Sequence, residues 1–216
     1  MSKLISATKG CSFIKSGMTI LIGGFLKCGT PVEIIKEILK SDIKDLTIVG
    51  NDTSYPTDDR GTLVVAKKVK KVIASHIGLN RETGRQMENG ELEVELVPQG
   101  TLSERIRAAG AGLGGVLTPT GIGTEVAKGK QIINVDGRDY ILEKPIHGDI
   151  ALIYGSKIDR NGNISFIGTT RNTNVVMATA ADIVIAEAEE YIDGDMDPNE
   201  VVIPGMFVNY IVKRGK

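Results

Sequence analysis

The sequence predicts an α/β fold: an open, mostly parallel sheet with helices on both faces. Three features predict it. Met18 to Pro31, MTILIGGFLKCGTP, runs from an uncharged apolar segment through a glycine-rich turn into a helix start. Short apolar runs recur downstream, LTIVG, DIALIY and DIVIAEA, in the pattern of strands buried on both faces. Stretches with helical spacing separate them, so strand and helix alternate. At 216 residues the chain reads as a single domain spanning 1–216.

Taken in order, residues 2–16 form an amphipathic helix or an extended lead-in, and Ser16-Gly17 turns into the opening strand. Gly23, Gly24 and Gly29 follow that strand at the end where α/β proteins bind ligands. Thr30 is an N-cap and Pro31 the first helical residue, with Val32, Ile35, Ile38 and Leu39 as the apolar face. Leu46–Gly50 is a second strand ending in Asn51-Asp52, and Lys67–Lys71 a solvated helix face. Val72–Ser75 is a third strand, with His76 as a packing residue at its end. Leu92–Val97 alternates apolar with acidic, as a strand with one wet face does. Thr101 with Glu104 makes a capping box for a helix ending near Gly110.

Gly110 to Gly123 is a flexible loop near a site, since so many glycines cost folding entropy. Asp136-Gly137 marks a hairpin and Asn161-Gly162-Asn163 a tight turn. Asp149–Tyr154 and Asp182–Ala188 are buried strands flanking a helical stretch at 172–181, and Met206–Val212 is the last strand.

Composition excludes several functions. The net charge is −1 with Lys and Arg dispersed, which argues against a nucleic-acid surface. No apolar run is long enough for a membrane span, nor is there a secretory leader, so the expected setting is cytoplasmic. Cys11 and Cys28 are then two reduced thiols. His76 and His147 have no partner at metal-ligand spacing, so no metal is expected. Ser16, Ser75 and Ser103 lack a nucleophile elbow. GGFLKCG has neither dinucleotide nor P-loop spacing, and GAGLGG follows a helix where a dinucleotide fingerprint follows a strand.

The glycine turn is either a backbone cradle for a carbonyl or anionic oxygen, or a plain tight connection. Gln99 offers a side-chain amide to a substrate oxygen, or bonds its own loop. Asn51, Asn80 and Asn172 carry the same pair of readings. Glu187, Glu189 and Glu190 suit a solvated loop start better than a catalytic cluster.

Several stretches together resemble one family. GGFLKCGTP at 23–31, ELEVELVPQGTLSERIRAAGAG at 91–112, TPTGIGT at 118–124, DRNGN at 159–163, GTTRNTN at 168–174 and the C-terminal MFVNYIV are similar to the alpha subunit of family I CoA-transferases. The likeness is nearest to the butyrate/acetate–acetoacetate type and covers nearly the whole chain. It implies an open α/β fold, a beta subunit of like fold, and an α2β2 assembly. It implies coenzyme A as an acyl-CoA substrate, with no permanently bound cofactor, and short-chain carboxylic acids such as acetoacetate as acceptors. A glutamate of the beta subunit would carry the reaction through an acyl-glutamyl anhydride and a glutamyl-CoA thioester.

By the same resemblance Gly23, Gly24, Phe25, Leu26, Lys27, Cys28 and Gly29 correspond to the CoA-binding stretch, with Phe25 covering the thioester. Gln99 corresponds to an oxyanion donor, and Asn51 and Asn80 are further candidates for CoA or substrate binding. Met87-Glu88-Asn89-Gly90 echoes the Ser-Glu-Asn-Gly motif of the beta subunit. It lacks that motif's flanking acidic and glycine residues, so the nucleophile is expected in the partner. The alternatives are one chain of a 3-oxoadipate or 3-oxoacid CoA-transferase, a sugar-phosphate isomerase-like protein, or a non-catalytic binding protein. The isomerase would want a basic phosphate cluster beside the glycine turn, where only Lys27 is available.

Overall fold

The computed structural model describes residues 2–215. Its main sheet runs, in spatial order, β1 (Leu4–Ile5), β12 (Tyr210–Lys213), β11 (Ala181–Ile192), β9 (Gly148–Asp159), β2 (Thr19–Ile22), β3 (Leu46–Asp52), β4 (Val69–His76) and β5 (Glu93–Leu96). All neighbours on this path are parallel, and the short β10 (Ile164–Ser165) pairs antiparallel with β9.

Alternation along β2 shows how the layers form, because successive side chains point to opposite faces. Leu21 enters one core with Leu102 and Ile106 of α5 (Gln99–Gly110) and Met177 of α6 (Asn174–Met177). Ile20 and Ile22 enter the other core. That core holds Cys11 of α1 (Ala7–Cys11), Ile35 and Ile38 of α2 (Glu33–Lys40), and Leu63 of α3 (Asp59–Val65). Helices therefore cover both faces, and full burial explains the uninterrupted apolar runs. α4 (Arg81–Glu88) precedes β5. β6 (Val116–Thr118), β7 (Ile132–Val135) and β8 (Arg138–Glu143) form a separate antiparallel sheet in the order β6-β8-β7. Its hairpin places Asp136 at φ 51° and Gly137 at φ 81°, the left-handed pair that a type I′ turn requires.

Several local expectations are corrected. Thr30 and Pro31 do not open α2, which begins at Glu33; the Thr30 hydroxyl instead donates to Leu26 O at 2.8 Å. The cap comes from elsewhere in the chain: Glu33 N–H donates to Glu187 Oε2 at 2.6 Å. Glu187 is thus no solvated loop residue but 1 % exposed on β11. Ile34 joins Ile35 and Ile38 in the core, while Val32 and Leu39 are half-buried. No capping box forms at Thr101, because α5 already starts at Gln99 and Thr101 is buried in its first turn.

Lys67–Lys71 is a turn leading into β4, not a helix face: Lys67 has φ 53° and Val69 is buried. The 110–123 segment contains β6, and the helix within 172–181 is confined to α6. Met206-Phe207 lies in a short 3₁₀ turn after Pro204, so β12 begins only at Tyr210. α3 and α4 arise from stretches that read as neither helix nor strand in the sequence.

Candidate active site

β2 lies between β9 and β3, and the chain builds outward from it in both directions. That is a topological switch point, where open parallel sheets bind ligands outside the strand ends. The residues at the carboxyl ends of four adjacent strands meet there. Phe25 and Leu26 after β2, Asn51 and Asp52 on β3, Ser75 and His76 on β4, and Gln99 after β5 line a cleft of about 230 Å³ together with Leu79. His76 is exposed to this cleft, not packed against a neighbour.

A second hollow of about 260 Å³ shares Phe25, Asn51 and Gln99 and adds Ser103, Arg107, Asn172, Thr173 and Val176. A third, about 520 Å³, lies between the start of α5 and β6 and is again bordered by Gln99. Beyond Phe25 a hollow of about 460 Å³ is lined by Cys28, Thr169 and Asn172. Cys28 Sγ sits 3.1 Å from Thr169 Oγ1.

The glycine turn proves to be a braced scaffold. Gly23 N–H donates to Leu152 O at 2.9 Å, Gly24 N–H to Asn172 Oδ1 at 3.1 Å, and Leu26 N–H to Asp52 Oδ2 at 3.0 Å. Phe25 and Cys28 exchange N–H···O bonds of 3.0 and 2.9 Å. Those amides are occupied, so they do not form the backbone cradle that the sequence allowed. The carbonyls are held too. Arg60, 1 % exposed, donates through Nη1 to Gly23 O at 2.9 Å and through Nη2 to Gly24 O and Leu26 O, each at 3.4 Å. Its Nε donates to Asp52 O at 2.8 Å and Nη2 to Asp52 Oδ1 at 2.9 Å.

Burial alone would push the Asp52 carboxyl up. The Arg60 charge and bonds from Leu26 N–H and the Asn51 amide instead hold it below the usual carboxylate range. From the other side Asn172 Nδ2 donates to Cys28 O at 3.1 Å and Asn174 Nδ2 to Gly29 O at 3.0 Å. Gly24 needs φ 110° and Gly29 φ 64° to follow this path. The product of all this bracing is one presented ring: Phe25, 53 % exposed and bordering three hollows.

Gln99 is the opposite case. It is the first residue of α5, exposed, and its side-chain amide bonds no group among the described residues. Asn51 stays in the site, 3 % exposed, donating to Asp52 Oδ2 at 3.1 Å. Two expected residues leave it. Lys27 turns to Asp58 at 3.0 Å and lies over the Tyr55 ring. Asn80 is buried as the cap of α4, accepting from Glu82 N–H at 3.2 Å and donating to Thr53 O at 3.1 Å, and lines none of these hollows. Glu88, at the exposed end of α4, lines none of them either.

Sequence reading missed Arg60, Asn174, Ser103 and Arg107. A spacing signal existed for the last two, which stand four and eight residues after Gln99 on one helix. Among the described residues no group of His, Cys, Asp and Glu could hold a metal ion, and no helix is long and apolar enough to cross a membrane.

A switch-point cleft with a poised amide donor and a braced glycine turn is a place to hold a polar carbonyl group. Comparison gives that architecture its class. The coenzyme A transferase family matches residues 4–214, and the chain belongs to that family. Among particular proteins, it is 52 % identical over 99 % of its length, and 98 % of the relative's, to the acetoacetyl-CoA:acetate/butyrate CoA transferase alpha subunit of Clostridium acetobutylicum. It is 46 % identical to the alpha subunit of the acetate CoA-transferase of Escherichia coli K12, covering 98 % and 96 %. It is also 46 % identical to one subunit of the succinyl-CoA:3-ketoacid coenzyme A transferase of Helicobacter pylori J99, covering 100 % and 94 %.

Its fold superposes on glutaconate coenzyme A-transferase from Acidaminococcus fermentans with a TM-score of 0.87 at 24 % identity, covering 98 % of this chain and 75 % of that one. An acyl-CoA transferase of E. coli O157:H7 matches with a TM-score of 0.82 at 21 % identity over 99 % of this chain, which spans 47 % of that longer polypeptide.

Proposed function

We propose that this chain is the alpha subunit of a CoA-transferase that moves CoA between a short-chain acyl-CoA and acids such as acetoacetate, acetate or butyrate, with the nucleophilic carboxylate supplied by a beta subunit. The observation that carries it is the unbonded Gln99 amide at a cleft where the chain has no carboxylate to spare. Asp52, the one carboxylate lining the 230 Å³ cleft with Gln99, is locked against Arg60 at 2.9 Å. Each of the three relatives is named as one subunit of its enzyme, two of them as the alpha subunit, which supports a partner chain.

The chemistry fits such a division. The partner's carboxylate attacks the thioester carbonyl, the C–S bond breaks, and CoA thiolate leaves an acyl-glutamyl anhydride. The thiolate then attacks the glutamyl carbonyl, releasing the first acid and leaving glutamyl-CoA. The second acid reverses both steps. Each addition places negative charge on one oxygen, and Gln99 Nε2–H is the donor set to meet it. Phe25 borders the hollows on its side of Gln99 and keeps water from the anhydride. CoA itself is a substrate, and the chain's role toward it is to present these walls.

The test is to purify the chain alone and with a co-expressed beta subunit, then follow CoA transfer from acetoacetyl-CoA to acetate and butyrate. Transfer by the complex and none by the lone chain is expected; full activity of the lone chain would overturn the assignment. The 46 % identity to a succinyl-CoA:3-ketoacid transferase chain favours a second reading, with the same chemistry and succinyl-CoA as donor. Succinate in the same acceptor panel separates the two.

A further inference from the structure

Resting on that reading, the geometry points to a specificity pocket for the acyl group: Arg107, with Ser103, recognises a second oxygen on the acyl chain, the 3-oxo oxygen of a 3-oxo acid or the distal carboxylate of a dicarboxylic acid. Gln99, Ser103 and Arg107 stand at i, i+4 and i+8 on α5, and at about 100° per residue they share a face about 80° wide. That face lines the 260 Å³ hollow, together with Phe25, Asn51 and Thr173 from other elements.

A carbonyl bonded to Gln99 therefore has its own substituent running along α5 toward Ser103 and Arg107. At about 260 Å³ the hollow has room for a four-carbon acyl group.

Charge singles out Arg107. Among the residues lining the four hollows around Phe25 and Gln99 it is the one with a permanent positive charge. Its Nε donates to Glu104 Oε1 and Oε2 at 3.2 and 3.1 Å, while Nη1 and Nη2 have no partner among the described residues. The side chain is 57 % exposed and the Glu104 carboxylate 50 %, so this surface pair is weak and leaves the guanidinium free to take a substrate oxygen. An unsubstituted acetyl or butyryl group offers Arg107 nothing to bond, whereas a 3-oxo or distal carboxylate oxygen gains a charge-assisted bond.

The test uses the complete complex and four acceptors: acetate, butyrate, acetoacetate and succinate. For Arg107→Met the ratio of kcat/KM for acetoacetate to that for acetate falls tenfold or more, mostly through the KM of acetoacetate, as loss of a bond to a charged group predicts. The succinate-to-butyrate ratio reports the carboxylate arm in the same way, and Arg107→Lys restores part of whichever ratio falls. Ratios unchanged from wild type in both arms overturn the inference, even if every rate drops together. A wild-type complex that transfers CoA to none of the four acids overturns the parent reading instead. Because Arg107 lies on the surface, unchanged thermal unfolding of Arg107→Met confirms that the ratios report recognition.

Discussion

The two walls of the cleft are built in opposite ways. The glycine turn, from Gly23 to Gly29, is bonded at nearly every backbone group: Arg60 and Asp52 hold it from below, Asn172 and Asn174 from beside. Gln99 across the cleft has backbone support from α5 and a side chain bonded to nothing else among the described residues. Position and chemistry are thereby assigned to different walls. Under the proposed function, the turn that must not move is over-determined, and the amide proposed to meet transient charge is left unpaired until that charge appears.

The largest test of this contrast is Arg60→Met. Removing one member of a buried ion pair leaves the Asp52 charge unpaired and withdraws bonds from four carbonyls, so the fold should lose about 3–5 kcal/mol by chemical denaturation, with transfer activity falling alongside it. Gln99→Ala should do the reverse: a rate lower by about 10²–10³-fold, or 2.7–4 kcal/mol of barrier, with unfolding within about 0.5 kcal/mol of wild type. If Gln99→Ala unfolds the protein, or leaves the rate alone, the contrast fails. Phe25→Ala sharpens it, since an exposed ring contributes little to the core. Unfolding should barely change, while hydrolysis of acyl-CoA rises relative to transfer, read as free thiol per turnover.

The smallest effect concerns pH. Burial raises the Glu187 carboxyl to about 7, against the bonds from Glu33 and Val32 N–H and the Arg214 charge. Its folded pKa lies above the unfolded value, so the folded state binds the extra proton between about pH 4.5 and 7. The contribution of this residue is full below that window and is lost as pH rises through it. Unfolding free energy should therefore decline from pH 5 to 8 in the wild type and decline less in Glu187→Gln, whose amide oxygen still accepts from Glu33 N–H.

Strand identity was legible because full burial writes itself as an unbroken apolar run, as at Ile20–Ile22 and Ile150–Ile153. The glycine turn and Gln99 were legible as strand-end residues, and the family as a set of motifs. What escaped was polar burial. Glu187, Glu189 and Glu190 read as a solvated loop start and Arg60 drew no reading at all, yet Arg60 and Glu187 are each 1 % exposed. Composition does not separate a paired interior charge from a surface one, because the partner lies far along the chain. The same distance hid the true cap of α2: Glu187 acts from 154 positions away, and Thr30 was merely the nearest residue of the right type.

Gly23 and Asn174 share one volume. A Cβ at residue 23 would overlap Asn174 Oδ1, the atom that accepts from Tyr154 N–H. The glycine is therefore required by its neighbour as much as by its own backbone. Neither position can drift alone: enlarging residue 23 evicts the asparagine, and shrinking the asparagine frees Tyr154 N–H and leaves a void beside the turn. The two sites form an epistatic lock between distant parts of the sequence. Engineering a wider entrance here has to change both together.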